Sequence, residues 1–245
     1  MANGFDPRAT AAPHTATTAG REGVAYDAGL RSYMLSVYNY MASGVLLTGI
    51  VAMLFAQSGA AEAILFGPGI LKYVIMFSPL AFVMVLSFGI GRLSTGAAQA
   101  LFWAFATVMG LSMASIFFRF TGPSIALTFF ATSAAFVSLS LYGYTTKRDL
   151  SGFGTFLIMG VVGLIVASLL NLWFQSPAMT LAISAIGVLI FAGLTAYDTQ
   201  RIKSMYAYVA GTDMIGKTVI MGALSLYLDF VNMFTFLLQF LGSRD

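Results

Sequence analysis

Seven apolar stretches, each about twenty residues long, follow one another from residue 35 to residue 241. They occupy 35–56, 73–91, 97–118, 124–144, 153–174, 178–197 and 219–241. None shows the strict alternation of a barrel strand, whose crossing takes only ~10 residues. Twenty residues at a 1.5 Å helical rise cover ~30 Å, the thickness of a bilayer's hydrocarbon core. Short polar turns between the stretches make neighbouring helices antiparallel. The pattern therefore predicts an all-α membrane protein with seven transmembrane helices in residues 31–245. Residues 1–30, rich in Ala, Thr, Gly and Pro with scattered charge and no apolar period, predict a disordered N-terminal tail.

Composition sharpens this picture. Only 9% of residues are charged and 59% are hydrophobic, whereas a soluble domain carries about 25% charged residues. So little charge cannot cover a water-facing surface, and the lipid bilayer is the expected partner. The net charge of +3 is explained by basic loops, and no nucleic-acid partner is expected. Cysteine is absent and the only histidine, His14, lies in the expected tail. Thiolate–zinc sites, disulfides and Ser-His-Asp chemistry are thereby excluded, and a metal inside the bundle would need oxygen ligands. No enzymatic activity and no resident cofactor are expected.

Loop charge predicts orientation. Arg8, Arg21, Arg31, Arg92, Lys147, Arg148, Arg201, Lys203 and Lys217 fall on the N-terminal side of the membrane. Lys72, Arg119 and Arg244 fall on the other, so the 12 basic residues divide nine to three. The positive-inside rule then puts the N-terminus in the cytoplasm and the C-terminus outside a cell (inner) membrane.

The first six stretches contain no charged residue, and the seventh contains one, Asp229. A carboxylate at bilayer depth costs about 2.5–3.5 kcal/mol even on lenient insertion scales. The side chain is too short to reach an interface, so Asp229 must face the bundle interior. There it serves either a structural hydrogen bond or a working site. Asp198 ends the sixth stretch in Ala-Tyr-Asp-Thr-Gln-Arg. Taken alone, it reads first as an interfacial cap or loop charge. From its expected helix end near Lys203 it lies only ~7.5 Å deep, against ~18 Å for Asp229 measured from Lys217. Spacing alone therefore does not pair the two. Arg92, closing the second stretch, reads as a positive-inside anchor. Glycines within the stretches, Gly44, Gly49, Gly110, Gly160, Gly163, Gly187 and Gly193, read as points of close helix approach.

Three segments resemble the Bax inhibitor-1 family, also called the transmembrane Bax-inhibitor-motif family, in its bacterial branch. Ala223-Leu-Ser-Leu-Tyr-Leu-Asp229-Phe-Val-Asn232-Met-Phe-Thr-Phe-Leu-Leu is similar to that family's last span. Tyr197-Asp198-Thr-Gln200-Arg-Ile-Lys resembles the end of its sixth. Arg31-x-Tyr33-x6-Tyr40-Met41-x2-Gly44 resembles the start of its first. The likeness covers about residues 30–242. It implies two groups of three helices around a central seventh, with Asp198 and Asp229 as a hydrogen-bonded pair. It implies a proton and cation site at that pair, as in members that act as pH-sensitive calcium leak channels. It also implies Arg92 as a latch on Asp198. Ala81 stands where the calcium-leak type carries a glutamate, so one carboxylate of that polar cluster is missing.

Two close carboxylates cannot both ionise cheaply and titrate as a unit. A shared proton would lock the sixth and seventh helices together, and its loss would free oxygens suited to calcium. Two carboxylates make at most a weak, transient calcium site. The expected function is a pH-sensitive cation (calcium) leak channel, with calcium or protons as its small partners. The alternative is a non-conducting regulator that binds a membrane-bound AAA protease. An intramembrane aspartyl protease also needs two membrane aspartates, but its Gly-x-Gly-Asp pattern is absent.

Overall fold

Tertiary contact extends several helices past the limits that their apolar patterns set. In the computed structural model, which describes the backbone of residues 14–243 and the side chains of residues 24–243, the described residues form eight helices. These are α1 (His14–Gln57), α2 (Ala60–Phe66), α3 (Leu71–Gly89), α4 (Thr95–Met113), α5 (Gly122–Thr145), α6 (Ser151–Phe174), α7 (Pro177–Val209) and α8 (Ile215–Leu241). A short 3₁₀ turn, Ala114–Phe118, prolongs α4. No strand occurs among the described residues. Among the described residues, seven helices are long and apolar enough to cross a membrane, and the 7-residue α2 is not.

Turn chemistry sets several helix starts. Ser94, Thr121 and Ser176 each accept a hydrogen bond from a backbone N–H in the first turn of α4, α5 and α7. Pro123 and Pro177 sit in those first turns of α5 and α7, where a missing N–H costs nothing.

Three features depart from the sequence pattern. First, α1 begins at His14, so much of the expected tail is helical; residues 1–13 lie outside the described residues. Tyr26 and Tyr33 pack on Tyr206 with ring centroids 5.2 and 5.4 Å apart. Gly29 faces the Tyr206 hydroxyl so closely that any side chain there would overlap it. This contact lies far away in the sequence, and no local period announces it. Second, α7 runs on to Val209, well past Tyr197, because Thr199, Ile202 and Tyr206 are buried on one face of its polar end. Third, α2 folds between the first two spans, where a simple turn was expected.

α8 is the centre of the bundle. Of its apolar window, 67% is buried by protein, against 33% or less for every other span. It packs on α7, α1, α5 and α4. Around it α1, α3 and α4 form one group of three spans, and α5, α6 and α7 the other, with α3 held chiefly by α4 and α6 by α7. Lipid is as apolar as leucine, so close packing and interhelical hydrogen bonds hold such helices together. Gly110 brings α4 against α1, where an added Cβ would lie 2.7 Å from the Thr48 carbonyl oxygen. Gly143 does the same for α5 against the Ala196 carbonyl of α7. Of the glycines expected to pack closely, Gly44, Gly110, Gly160, Gly187 and Gly193 do so, while Gly49 and Gly163 face open space. The Thr48 hydroxyl donates to the Ala106 carbonyl at 2.8 Å and lies 2.6 Å from the Tyr227 hydroxyl, joining α1, α4 and α8.

Candidate functional site: a carboxylate pair between the last two helices

Asp198 and Asp229 meet at the α7–α8 interface, their carboxyl groups within hydrogen-bonding reach of each other. Asp229 is buried, with 4% of its surface exposed, and Asp198 is half-buried. The continuation of α7 roughly halves the mismatch in depth, from ~10 Å to ~5 Å. With the helix ending at Val209, Asp198 lies ~16 Å from its end, and Asp229 lies ~21 Å from the start of α8 at Ile215. Both ends flank the turn at residues 210–214, so the two depths are measured from the same side.

The Asp229 Oδ2 atom is buried and receives no hydrogen bond. Two carboxylates offer only acceptors, so a bond between them requires a proton on one. Arg201, one turn beyond Asp198 on α7, supplies the positive charge that acts on Asp198. Arg92 does not hold the place that the resemblance assigned to it. It is exposed in the turn after α3, and its side chain makes no hydrogen bond or ion pair among the described residues. The reason is architectural, because α3 rests chiefly on α4 and stands away from α7. Ala81 lies on the exposed face of α3. No cluster of three potential acidic, imidazole or thiol ligands occurs among the described residues. A cation at the pair would therefore have two side-chain carboxylates for protein ligands.

The segment from Tyr197 to Lys203 fastens α7 to the other group members. The Gln200 amide donates to the Arg148 carbonyl at 2.8 Å and accepts from the Leu150 N–H at 2.9 Å. The Lys203 ammonium donates to the Tyr144 carbonyl at 2.7 Å and lies 4.5 Å from the centre of the Tyr144 ring. Thr199 donates to the Ser140 hydroxyl at 3.3 Å. In the same α5–α6 turn, bonds from the Ser151 hydroxyl and N–H hold the exposed Asp149 carboxyl below the usual carboxylate range. Sequence reasoning missed Gln200 and Lys203 as fasteners. Their spacing of three places them on one helix face, but their partners are backbone atoms, which no residue pattern reveals.

Further along both helices, Phe191 and Phe236 stack with centroids 5.9 Å apart and planes 25° from parallel. Beyond them the Ser184 hydroxyl donates to the Gln239 amide oxygen at 3.2 Å. That end opens into a cavity of about 640 Å³ lined by Ser112, Ser115, Arg119, Thr180, Thr235 and Gln239, among others. The order along the interface is carboxylates, aromatic pair, polar vestibule.

These features define a multi-pass integral membrane protein with a carboxylate pair, Asp229 buried and Asp198 half-buried, at the edge of its central helix. Residues 30–245 match the family described as Inhibitor of apoptosis-promoting Bax1, and the chain belongs to that Bax inhibitor family. A protein of Rickettsia prowazekii is 48% identical over 220 residues, covering 89% of this chain and 92% of its own. The inner membrane protein YbhL of Escherichia coli K12 is 46% identical over 219 residues, covering 89% and 94%. A membrane protein of Streptococcus pyogenes is 36% identical over 221 residues, covering 89% and 96%.

Proposed function

We propose that this protein is a pH-sensitive cation leak channel of the inner membrane, with the Asp198–Asp229 pair as its proton-controlled lock. The observation that carries this reading is the buried, donorless Asp229 Oδ2 beside Asp198. A proton shared by the two carboxyls supplies the missing donor and ties α7 to α8. When pH rises and the proton leaves, two negative charges face each other in a poorly screened interior and repel. The lock then weakens and the freed oxygens attract a cation. Calcium, a hard ion that favours carboxylate oxygens, suits them, and two ligands make a passing site rather than a tight cage.

In the locked state the stacked Phe191 and Phe236 separate the carboxylates from the polar vestibule, as a hydrophobic constriction does in a closed pore. The residues take no catalytic part. The name of the Escherichia coli relative supports the inner membrane as the location. The nine-to-three division of the 12 basic residues supports a cytoplasmic N-terminus and an external C-terminus.

The test is calcium entry into liposomes that hold purified protein and a trapped indicator dye, from mildly acidic to mildly alkaline pH. Flux that rises with pH is expected. No flux above empty liposomes at any pH would sink the channel reading. Co-purification of a membrane-bound AAA protease with such a silent protein would point to the regulator instead.

A further inference from the structure

A lateral groove opens between α1 and α5, the two helices where the groups of three face each other without close packing. Its cavity measures about 880 Å³, within the ~300–1,000 Å³ range of ligand sites. One wall is α1 from Arg31 to Leu46, and the other is α5 from Phe129 to Tyr144. Buried Phe136 and Phe230 form part of its floor. The helices are antiparallel, so Arg31 and Tyr144 share one end, and Leu46 and Phe129 share the other.

The groove is chemically polarised along its length. Fifteen residues of helix span ~22 Å, enough for a headgroup zone and the ~15 Å of one leaflet's hydrocarbon. At the Leu46–Phe129 end the lining is apolar apart from Ser133, whose hydroxyl donates to the Phe129 carbonyl of its own helix. At the other end stand the Arg31 guanidinium, the Tyr38 and Tyr144 rings and the Ser140 hydroxyl. Arg31 is exposed, and no described carboxylate pairs with it. Lys203 at the same end is engaged with the Tyr144 carbonyl and ring, which leaves Arg31, among the described residues, as the free cation of the groove lining. An unpaired cation at the mouth of an apolar furrow complements a molecule with an anionic head and a hydrocarbon tail. Basic pockets between membrane helices take anionic lipid headgroups in this way.

We propose that this groove is a binding site for one anionic phospholipid of the leaflet that holds the α7–α8 turn. Its phosphate pairs with Arg31, and an acyl chain lies along Phe136 and Phe230. The lipid fills the seam between the two groups of helices. Its α5 wall carries Ser140, the partner of Thr199, so the bound chain lies one residue's reach from the helix segment that bears Asp198. The site does not depend on whether the protein conducts ions.

The full-length protein, purified in mild detergent and mixed with phosphatidylglycerol and phosphatidylcholine, is weighed by native mass spectrometry. One phosphatidylglycerol retained per chain is expected, with about fivefold preference over phosphatidylcholine. That preference equals the ~1 kcal/mol contributed by one basic residue at an anionic surface. Arg31→Gln should abolish the preference, while Ala42→Trp, which fills the groove from α1, should abolish retention. Ser133→Phe, from the opposite wall, repeats the second test should Ala42→Trp fail to fold. Absence of bound lipid in the parent protein would overturn the site, as would retention unchanged in the filled variants. A dimer that the filled variants break would also overturn it, assigning the groove to a second copy.

Discussion

Phe191 and Phe236 stack 5.9 Å apart, and each lies about two helical turns from the aspartate on its own helix. The same interval on α7 and on α8 keeps the ring pair and the carboxyl pair in register across one interface. If the rings close the path, shortening one opens it without touching the lock. Phe236→Ala is expected to raise calcium flux severalfold at acidic pH and to leave the direction of the pH response intact. Dye-loaded liposomes measure both.

An amide at either aspartate imitates the protonated partner. In Asp229→Asn the side-chain NH₂ donates to Asp198 permanently, as if the shared proton never left. Asp198→Asn does the same in reverse. In the proposed mechanism, lowering pH adds the proton and closes the lock, while raising pH removes it and opens the lock. Both variants should therefore hold flux at its acidic level across the whole range. A variant that still opened at alkaline pH would place the sensing group elsewhere.

Arg201 and Arg92 give opposite expectations. Removing a positive charge near a carboxylate disfavours its ionised form. Arg201→Gln should move the rise in flux to higher pH, by less than about one unit because the residue is exposed and screened. Arg92→Gln should leave the profile where it is, since Arg92 reaches no part of the pair. A shift produced by Arg92→Gln alone would restore it as the latch.

Close helix approach at Gly143 has a measurable cost when violated. A methyl group there meets the Ala196 carbonyl, which is backbone and cannot turn aside. Gly143→Ala is expected to destabilise the bundle by about 1–3 kcal/mol. Gly163→Ala meets nothing within 4 Å and should stay within about 0.5 kcal/mol of the parent. Denaturation in mixed micelles compares the two.

The buried Tyr227 hydroxyl has one partner, Thr48, which also bonds the Ala106 carbonyl. Tyr227→Phe removes one bond and leaves Thr48 satisfied. The loss should be about 0.6 kcal/mol, the average for interhelical hydrogen bonds in membranes. The same denaturation measurement applies.

Spans were legible in the amino-acid pattern because bilayer thickness dictates their length and lipid dictates their composition. Asp229 was legible because charge is costly at that depth. Asp198 was ambiguous, since the end of α7 is polar in sequence and is held helical by Tyr26, Gly29 and Tyr33, far away in α1. The same distant contact explains why the first turns of α1 read as tail. Arg92 was misleading for a different reason. A position at the end of a span says which side of the membrane a residue occupies, but not which helix faces it. Arg201, one turn from Asp198, needed no such information. The groove between α1 and α5 was illegible, because it comes from two helices that do not pack.

The two aspartates belong to consecutive helices joined by a five-residue turn at 210–214. The pair is therefore a property of the α7–α8 hairpin, and α7 leaves the ribosome before α8 does. Until α8 arrives, the other six spans surround an unfilled centre, and Asp198 has neither its partner nor its cover. Insertion of α8 completes the core and brings the two aspartates together in one event. A chain that fails to insert α8 therefore never forms the pair, so quality control that removes unfilled bundles would also remove every chain without it.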